Sequence, residues 1–321
     1  VGHKLNVGAD IQLFNSLNLT VDAFREIRSN ILTTKGSIPN YLGAAKTVIY
    51  GNFAKVKNWG VDLAVDYGKQ INRDLSIQFK GTFTFARNRV METDEAADIR
   101  PALSAVGKPL NTLWGYVADG LYIDEAGIAN NPTSTLGNIT IAAGDVKYVD
   151  QPDVNGNYDG QIDSDDRVAI GHPTIPEIIY GFGPSITWKK WDFSVFFQGQ
   201  ANVSLMMSGF EPFGTQSKNN VLEWIAEDYW SKENQNPNAK YPRLTKYNNN
   251  NNMQSSTYWL RNAAFLKLKN AEVGYNFKWG RVYMSGTNLL TFSPFKLWDP
   301  EMGGGKGMAY PTQRTFNLGV Q

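Results

Sequence analysis

The stretch Leu75-Ser76-Ile77-Gln78-Phe79-Lys80-Gly81-Thr82-Phe83-Thr84-Phe85 decides the fold class of this chain. Its odd-numbered positions are apolar, apart from Gly81, and its even-numbered positions are polar. Since successive side chains of a strand point to opposite faces, this period of two predicts a β-strand with one oily and one wet face. The stretch exceeds the about 5–6 residues of an ordinary strand and reaches the roughly 9–11 of a tilted, membrane-crossing one.

The same alternation recurs along the chain and predicts an all-β fold. Residues 61–67, for example, place Val61, Leu63 and Val65 on one face and two aspartates on the other. One strand changes phase, and a β-bulge near Asn270 would explain the change. Alternatively, the first part of that strand rises above the membrane and need not follow the alternation. The predicted strands span residues 4–14, 17–28, 58–69, 75–90, 176–188, 191–203, 258–277, 281–291 and 313–321.

The links between these nine predicted strands alternate between short and long. Tight turns on one side and long extracellular loops on the other are typical of outer-membrane barrels. We therefore expect a transmembrane antiparallel β-barrel. The long extracellular loops are expected near residues 29–57, 91–175, 204–257 and 292–312.

The odd number of strands has a further consequence. A bacterial outer-membrane barrel has an even number of strands and both ends on the short-turn side. Nine strands that end on that side must begin on the opposite one, and an open sheet leaves two unpaired edges in the membrane. The expectation is a fragment that starts in mid-barrel and is found with an N-terminal half that precedes Val1.

Composition excludes several classes of protein. The chain has 321 residues, a formal net charge of +1 and no cysteine. A nucleic-acid binder would show a basic patch or stripe, and thiol catalysis or a cysteine metal site needs cysteine. No stretch approaches the ~18–20 apolar residues of a membrane helix. Only two histidines are present, His3 and His172, and their spacing predicts no catalytic triad, so no enzyme is expected.

Several stretches together resemble the SusC/RagA family of TonB-dependent outer-membrane transporters. No single one is decisive, but their order along the chain is specific. The resemblance rests on residues 144–150, 159–167, 170–171, 176–182, 241–243, 258–260, 265–270, 274–275, 282–290, 298–301 and 310–316.

That resemblance implies a 22-stranded barrel of which residues 1–321 supply about the last nine, C-terminal strands. It implies a nutrient importer in the bacterial outer membrane, in contact with membrane lipid. The substrate would be an oligosaccharide or an oligopeptide. A SusD-like surface lipoprotein would form the lid, and the TonB complex would act through an N-terminal plug absent from this sequence. Family members usually end on an aromatic residue, whereas this chain ends on Gln321.

Two other functions fit the alternation alone. A passive porin or an adhesin barrel would show the same strands and loops, and only the ordered family motifs argue against it. The second alternative is a soluble β-sandwich that binds carbohydrate.

The acidic loop 153–166 is spaced like a calcium-binding EF-hand loop. With the first ligand position at residue 155, a glycine falls at the sharp turn, as that loop requires. A solvated loop of Asx turns without an ion is the alternative. The candidate ligands for Ca²⁺ are Asn155, Asn157, Asp159, Gln161, Asp163 and Asp166.

A short helix is predicted within residues 219–231, where Asn220 and Glu223 match a capping box. Its aromatic side chains could stack on sugar rings or could pack the loop onto the barrel rim or the lid. The candidate substrate contacts are Trp224, Tyr229 and Trp230.

Other polar groups have plainer readings. Acidic residues on the wet face, Asp10, Asp22, Asp62 and Asp66, would line a lumen or touch a plug. The run Asn248–Asn252 is of low complexity and is expected to form a mobile loop tip.

Overall fold

The computed structural model describes residues 1–37, 49–96, 99–211 and 220–321. Strands dominate it, and the two α-helices are single turns, α1 (Glu125–Ala129) and α2 (Glu223–Glu227). The strands in chain order are β1 (Gly2–Leu13), β2 (Leu17–Thr34), β3 (Tyr50–Asn72), β4 (Leu75–Glu92), β5 (Leu113–Gly115), β6 (Ala118–Leu121), β7 (Thr133–Ser134), β8 (Val146–Tyr148), β9 (Gln161–Ile162), β10 (Val168–Ile170), β11 (Ile178–Trp188), β12 (Trp191–Ala201), β13 (Ser204–Met206), β14 (Leu260–Asn262), β15 (Phe265–Phe277), β16 (Gly280–Phe292) and β17 (Thr315–Val320).

Nine of these strands form one antiparallel sheet in the order β1-β2-β3-β4-β11-β12-β15-β16-β17. Each strand of the sheet therefore pairs with the sheet strand that follows it in the chain. The nine predicted strands and the all-β fold are confirmed. Within the described residues the sheet stays open, with β1 and β17 as its edges.

No helix among the described residues is both long and apolar enough to cross a membrane.

Strands β2 and β3 are longer than the sequence pattern predicts. They extend to Thr34 and from Tyr50, into the predicted loop 29–57, and pair over the added length. The pairing shifts by one residue between Arg28 and Ile31, where Asn30 has a left-handed φ of 56°. Asparagine tolerates that conformation. The resulting bulge interrupts the alternation, so the pattern alone placed the end of the strand too early.

The phase change in β15 is a bulge, as predicted. Phe196 pairs with Asn270, whereas Phe197 pairs with Leu268, so one extra residue of β15 lies between them. Upstream of the bulge, β15 begins at Phe265 rather than at 258, because β14 leaves the large sheet and pairs with β13.

The register keeps apolar side chains on one face of the sheet. Val21 pairs with Leu63, Leu63 with Phe83, and Phe83 with Tyr180. The row continues from Ala9 at one end to Leu266 and Phe292 at the other. We call this side the apolar face, and the opposite side, which carries Asp62, the polar face.

Aromatic side chains gather on the apolar face at the short-turn end of the sheet. Trp188 pairs with Trp191, and Trp191 pairs with Tyr275, their ring centroids 4.9 Å apart. Phe277 and Trp279 extend the group, and Trp279 is 84% exposed. Aromatic girdles of this kind mark the membrane interfaces of outer-membrane barrels.

One glycine shows how closely the polar face is packed. A Cβ atom on Gly60 of β3 would lie 2.0 Å from the carbonyl oxygen of Phe85 and 2.6 Å from the ring of Phe24. Gly68, on the same strand and the same face, has open space at its Cβ position.

Gly60→Ala is therefore expected to force Phe24 and the β3–β4 pairing apart and to cost about 1–3 kcal/mol, the usual range for overpacking. Gly68→Ala is the matched control, with little expected change. Thermal unfolding of the purified proteins measures both. Equal melting temperatures for the two variants would contradict the packing at Gly60.

Candidate functional site

Three long segments leave the sheet at one end and fold together there. They comprise the described parts of residues 93–177, 202–264 and 293–314, which follow β4, β12 and β16. Since the turns at the other end are tight, these segments hold nearly all the irregular structure described in the chain. We call them the loop assembly.

Small sheets fold the first and second segments internally, and backbone bonds join one segment to another. β5 pairs with β10, β6 with β8, and β13 with β14. Tyr116 donates its backbone N–H to Ser255 and accepts one from Thr257, which joins the first segment to the second. Met207 and Gly305 form a bridge between the second and the third. The loop assembly is thus a folded body on the sheet.

Two apolar clusters form its core. The first joins β13 to the third segment through Phe295, and its rings pack edge to face, as Phe210 does on Trp259 at 5.1 Å. The second surrounds β6 and β8. Members of the first are Val203, Leu205, Met207, Phe210, Ile225, Tyr241, Trp259, Ala263 and Phe295. Members of the second are Tyr116, Leu121, Val146, Tyr148, Ile162, Trp230 and Ala239.

A buried carboxylate, Asp145, connects these clusters. Its side chain is 0% exposed. Arg243 donates to it twice, from Nε to Oδ1 at 2.7 Å and from Nη2 to Oδ2 at 3.0 Å. Asn249 and Asn252 donate their side-chain amides to Oδ1 at 2.8 and 2.9 Å, and the backbone N–H of Ala142 donates to Oδ2 at 2.9 Å. The charge is therefore paired and bonded, as a buried carboxylate requires.

The expectation of a mobile tip at Asn248–Asn252 is wrong. Asn251 and Asn252 are 0% and 1% exposed and bind both backbone groups of Val146 on β8. The Tyr148 hydroxyl donates to the carbonyl of Asn251 at 2.6 Å. Amide side chains both donate and accept, so a run of them can saturate the polar groups of a buried strand. The repeated asparagines of this run form hydrogen bonds with buried groups, so the low complexity does not indicate disorder.

A second ionic group fastens the third segment to the sheet. The fully buried ammonium of Lys267, on the polar face of β15, lies 2.6–2.7 Å from both carboxylate oxygens of Asp299 and also bonds Glu301. Burial acts to raise the pKa of Asp299, but the hydrogen bonds from Lys267 and Thr312 outweigh it and hold the pKa below its ordinary value. The carboxylate therefore stays ionised at neutral pH.

The predicted calcium ligands lie in the loop between β8 and β10, already engaged in local bonds. Asp163 and Asp166 form a capping box on a 3-10 turn, and Asp159 accepts from the N–H of Gln161 at 2.9 Å. Burial raises the pKa of Asp166, against the hydrogen bonds from Asp163 and Gln151.

The N–H groups of Asn155 and Asn157 donate to Asp153. Arg100 reaches Asp159 and Asp165 at 3.8 and 3.4 Å. In the described part of the chain, no three His, Cys, Asp or Glu side chains are grouped to hold a metal ion. Calcium binding by the loop stays a prediction.

The three candidate aromatic contacts lie inside the loop assembly. Trp230 is 6% exposed and belongs to the second cluster, covering Gly144, where a Cβ would lie 2.3 Å from its ring. Trp224 and Tyr229 are half-buried against the first cluster. These contacts place all three rings in packing, and stacking on a substrate stays a prediction.

The predicted helix is shorter than expected, and its capping box is wrong. Residue 219 lies outside the described part, and α2 covers Glu223–Glu227 with Leu222 as its N-cap, without a side-chain cap bond. Downstream, Tyr229 forms a bridge with Tyr241, which holds the chain extended and ends the helix after one turn.

The acidic side chains of the first three strands share the polar face, as predicted. Asp22 and Asp62 face each other directly across β2 and β3. Thr20 donates to Asp10 at 2.6 Å, and Lys80 lies 3.6 Å from Asp66. The polar face thus carries partly neutralised negative charge.

An open cavity of about 260 Å³ in the loop assembly has a cationic wall, which the sequence did not suggest. Arg261 donates Nη1 to the carbonyls of Tyr258 and Leu260, and its remaining donors are unpaired within the described residues. Lys240 lines the same cavity. Such an arrangement can hold an anionic group by charge and hydrogen bonds.

The role of Asp145 is testable by mutation. Asp145→Asn removes the charge that Arg243 neutralises and presents an amide N–H₂ to donors, so we expect loss of about 3 kcal/mol of local stability. Hydrogen exchange at the amides of residues 249–252 measures that opening. Asp119→Asn, at a carboxylate 64% exposed and paired with Lys147, is the matched control with little expected effect. Unchanged protection in Asp145→Asn would contradict the account.

No protein-family model matches the chain. Over 353 aligned positions it is 24% identical to TonB-dependent receptor P3 of Formosa agariphila, covering 99% of the chain and 33% of that relative. It is 31% identical to receptor P26 of the same organism, over 55% of the chain and 19% of the relative. It is 22% identical to TonB-dependent receptor SusC of Bacteroides thetaiotaomicron, over 84% of the chain and 26% of SusC.

Solved structures share the fold. The RagAB peptide transporter matches with a TM-score of 0.73 and 23% identity over 99% of this chain and 35% of that one. The RagAB peptide importer in its open-open state gives 0.73 and 21% over 99% and 34%. The chain spans about a third of the length of the first relatives it matches. The ordered motifs and the similarity to these TonB-dependent receptors, SusC among them, support a fragment of a SusC/RagA-type TonB-dependent transporter, and the solved structures support its fold.

Proposed function

We propose that this chain forms part of the wall and the extracellular vestibule of a nutrient importer in the bacterial outer membrane. The observation that carries the proposal is the nine-stranded sheet with one continuous apolar face and one polar face. A face of that kind suits lipid on one side and a wet lumen on the other. The protein's work is transport, not catalysis.

The height of the sheet along the membrane normal supports its placement in a membrane. From Leu75, at the short-turn end of β4, to Arg87 is about 40 Å of strand. At a tilt near 40° this corresponds to about 30 Å, the thickness of the hydrocarbon core. Since open edges are not tolerated there, further strands of the same transporter pair with β1 and β17 and close the barrel.

The loop assembly then forms the vestibule wall. Its two apolar clusters and the hydrogen bonds of Asp145 make the loop assembly a stably folded surface. Its cavity, lined by Arg261 and Lys240, offers polar contacts to a substrate. Trp224, Tyr229 and Trp230 are the aromatic candidates for contact with a sugar, and the loop 153–166 is the candidate for Ca²⁺. Both assignments rest on residue type and spacing.

Relatives suggest the cargo and the partners. One matched structure is described as a peptide transporter, and another relative is the receptor SusC. The proposed cargo is accordingly an oligopeptide or an oligosaccharide. A SusD-like lipoprotein would cover the vestibule, and the TonB complex would drive uptake through an N-terminal plug.

Energy dependence separates this function from a passive pore. In cells that carry the full-length transporter, we expect a protonophore to abolish uptake of labelled oligosaccharide or oligopeptide, because TonB draws on the proton gradient. A deletion of the plug, which leaves an open pore, is the control that should take up cargo without the gradient. Uptake by the intact transporter that persists without the gradient would refute active import.

A further inference from the structure

Four cations stand together on the apolar face of β2, β3 and β4, near the loop-assembly end. Arg25 pairs with Trp59, and Trp59 pairs with Arg87. In the next row, Lys57 pairs with Arg89. No bulge intervenes between these rows and the apolar rows, so the five side chains point to the same side as Leu63. We call Arg25, Lys57, Trp59, Arg87 and Arg89 the basic patch.

The basic patch begins where the apolar face ends. On β3, Val61, Leu63 and Val65 follow Trp59 toward the short turn, and on β4 Phe85 follows Arg87 in the same direction. In these two rows β2 carries Arg25 and then Ile27, β3 carries Trp59 and then Lys57, and β4 carries Arg87 and then Arg89. Each of the three neighbouring strands therefore contributes at least one cation at this level.

Most of the patch's positive charge is not neutralised within the described residues. Arg87 makes a two-point ion pair with Glu177, at 2.8 and 2.6 Å. Arg25, Lys57 and Arg89 form no ion pair among those residues. Arg89 donates only to the carbonyl of Asn88, and the Lys57 ammonium lies 4.8 Å over the ring of Trp59. Four cations against one carboxylate leave an excess of three positive charges.

Cations with no partner in the protein can be hydrated at this height, and they can also bind the anionic groups of neighbouring lipids. The patch lies about 30 Å above the short-turn girdle, at the level of lipid headgroups. Arginine matches phosphate geometry with two parallel donors, and tryptophan prefers the interface itself. A polar substrate in the lumen would lie on the other side of the sheet, out of reach.

We propose that the basic patch binds the phosphate groups of a phosphorylated lipid in the outer leaflet. The inference rests on the proposed function for its placement in the membrane. Bound lipid would seal the barrel where β2 and β3 rise into the loop assembly. Trp59 would lie between acyl chains and headgroup, with a phosphate bridging Arg25 and Arg89.

The test uses the full-length transporter, purified in detergent and stripped of lipid. Diphosphorylated lipid A is titrated against the parent and against a triple variant, Arg25→Gln, Lys57→Gln and Arg89→Gln, with bound lipid measured by native mass spectrometry. Each cation near a charged lipid surface contributes about fivefold in affinity, so the triple variant should bind on the order of a hundredfold more weakly. Arg25→Lys with Arg89→Lys keeps the charge but loses the two-donor geometry, so its affinity should lie between that of the parent and that of the triple variant.

The matched control removes the same charge from the opposite end of the sheet. Lys69→Gln, Lys190→Gln and Lys278→Gln should leave lipid binding unchanged. Dephosphorylated lipid A should bind weakly to every variant, and inorganic phosphate at equal concentration should not compete. Equal affinity of the parent and the triple variant would overturn the inference. So would equal binding of the dephosphorylated lipid or competition by free phosphate, which would show a site for a free anion.

Uptake is measured in parallel on cells with the same variants. A parent that binds the phosphorylated lipid through the patch yet imports nothing would sink the proposed function and leave this inference intact. If the parent imports actively but the parent and the triple variant bind the lipid equally, the proposed function stands and this inference is refuted.

Discussion

Backbone pairing in a fixed register is the constraint on which the other features depend. Side chains alternate with a period of two, so a slip of one residue would turn every apolar side chain of a strand to the wet face. Across the nine strands the register aligns Val21, Leu63 and Phe83 in one row and Asp22 with Asp62 in another. Bulges at Asn30 and next to Asn270 change the phase only near the loop assembly.

Beyond the end of the sheet, hydrogen bonds and ion pairs between buried polar groups hold the loop assembly together. The loop assembly lacks long strands that could satisfy its backbone groups, and buried N–H and C=O groups need partners. Asp145 and the run Asn248–Asn252 supply many of them, while Arg243 balances the charge. Lys267 does the same between the sheet and the third segment. Both networks join segments far apart in the chain, so their loss would loosen the vestibule as a whole.

The sequence predicted the sheet well because its signal is local. The period of two in 61–67 and 75–85 needs no knowledge of tertiary contacts, and the phase change in β15 offered a bulge as one of two explanations, which the structure confirms. The ends of β2 and β3 were misjudged because a bulge at Asn30 disrupts the same pattern.

The loop assembly was harder to predict, since its contacts join residues about a hundred positions apart. Nothing near Asn251 indicates that β8 will cover it, and nothing near Arg261 indicates a cavity. The capping-box match at Asn220 failed for a related reason, because the bridge from Tyr229 to Tyr241 set the limits of α2.

In the proposed transporter, one face of this sheet meets lipid and the other meets water. Single cysteines can be placed at successive positions 61–66 of β3, which has no cysteine of its own, and labelled with a nitroxide in membranes. The full-length transporter is used, with any cysteine outside this chain replaced by serine. Collision rates with oxygen, which prefers lipid, and with a water-soluble nickel chelate then report each position. Oxygen access should be high and nickel access low at 61, 63 and 65, and the reverse should hold at 62, 64 and 66. Access that does not alternate along the strand would contradict this arrangement.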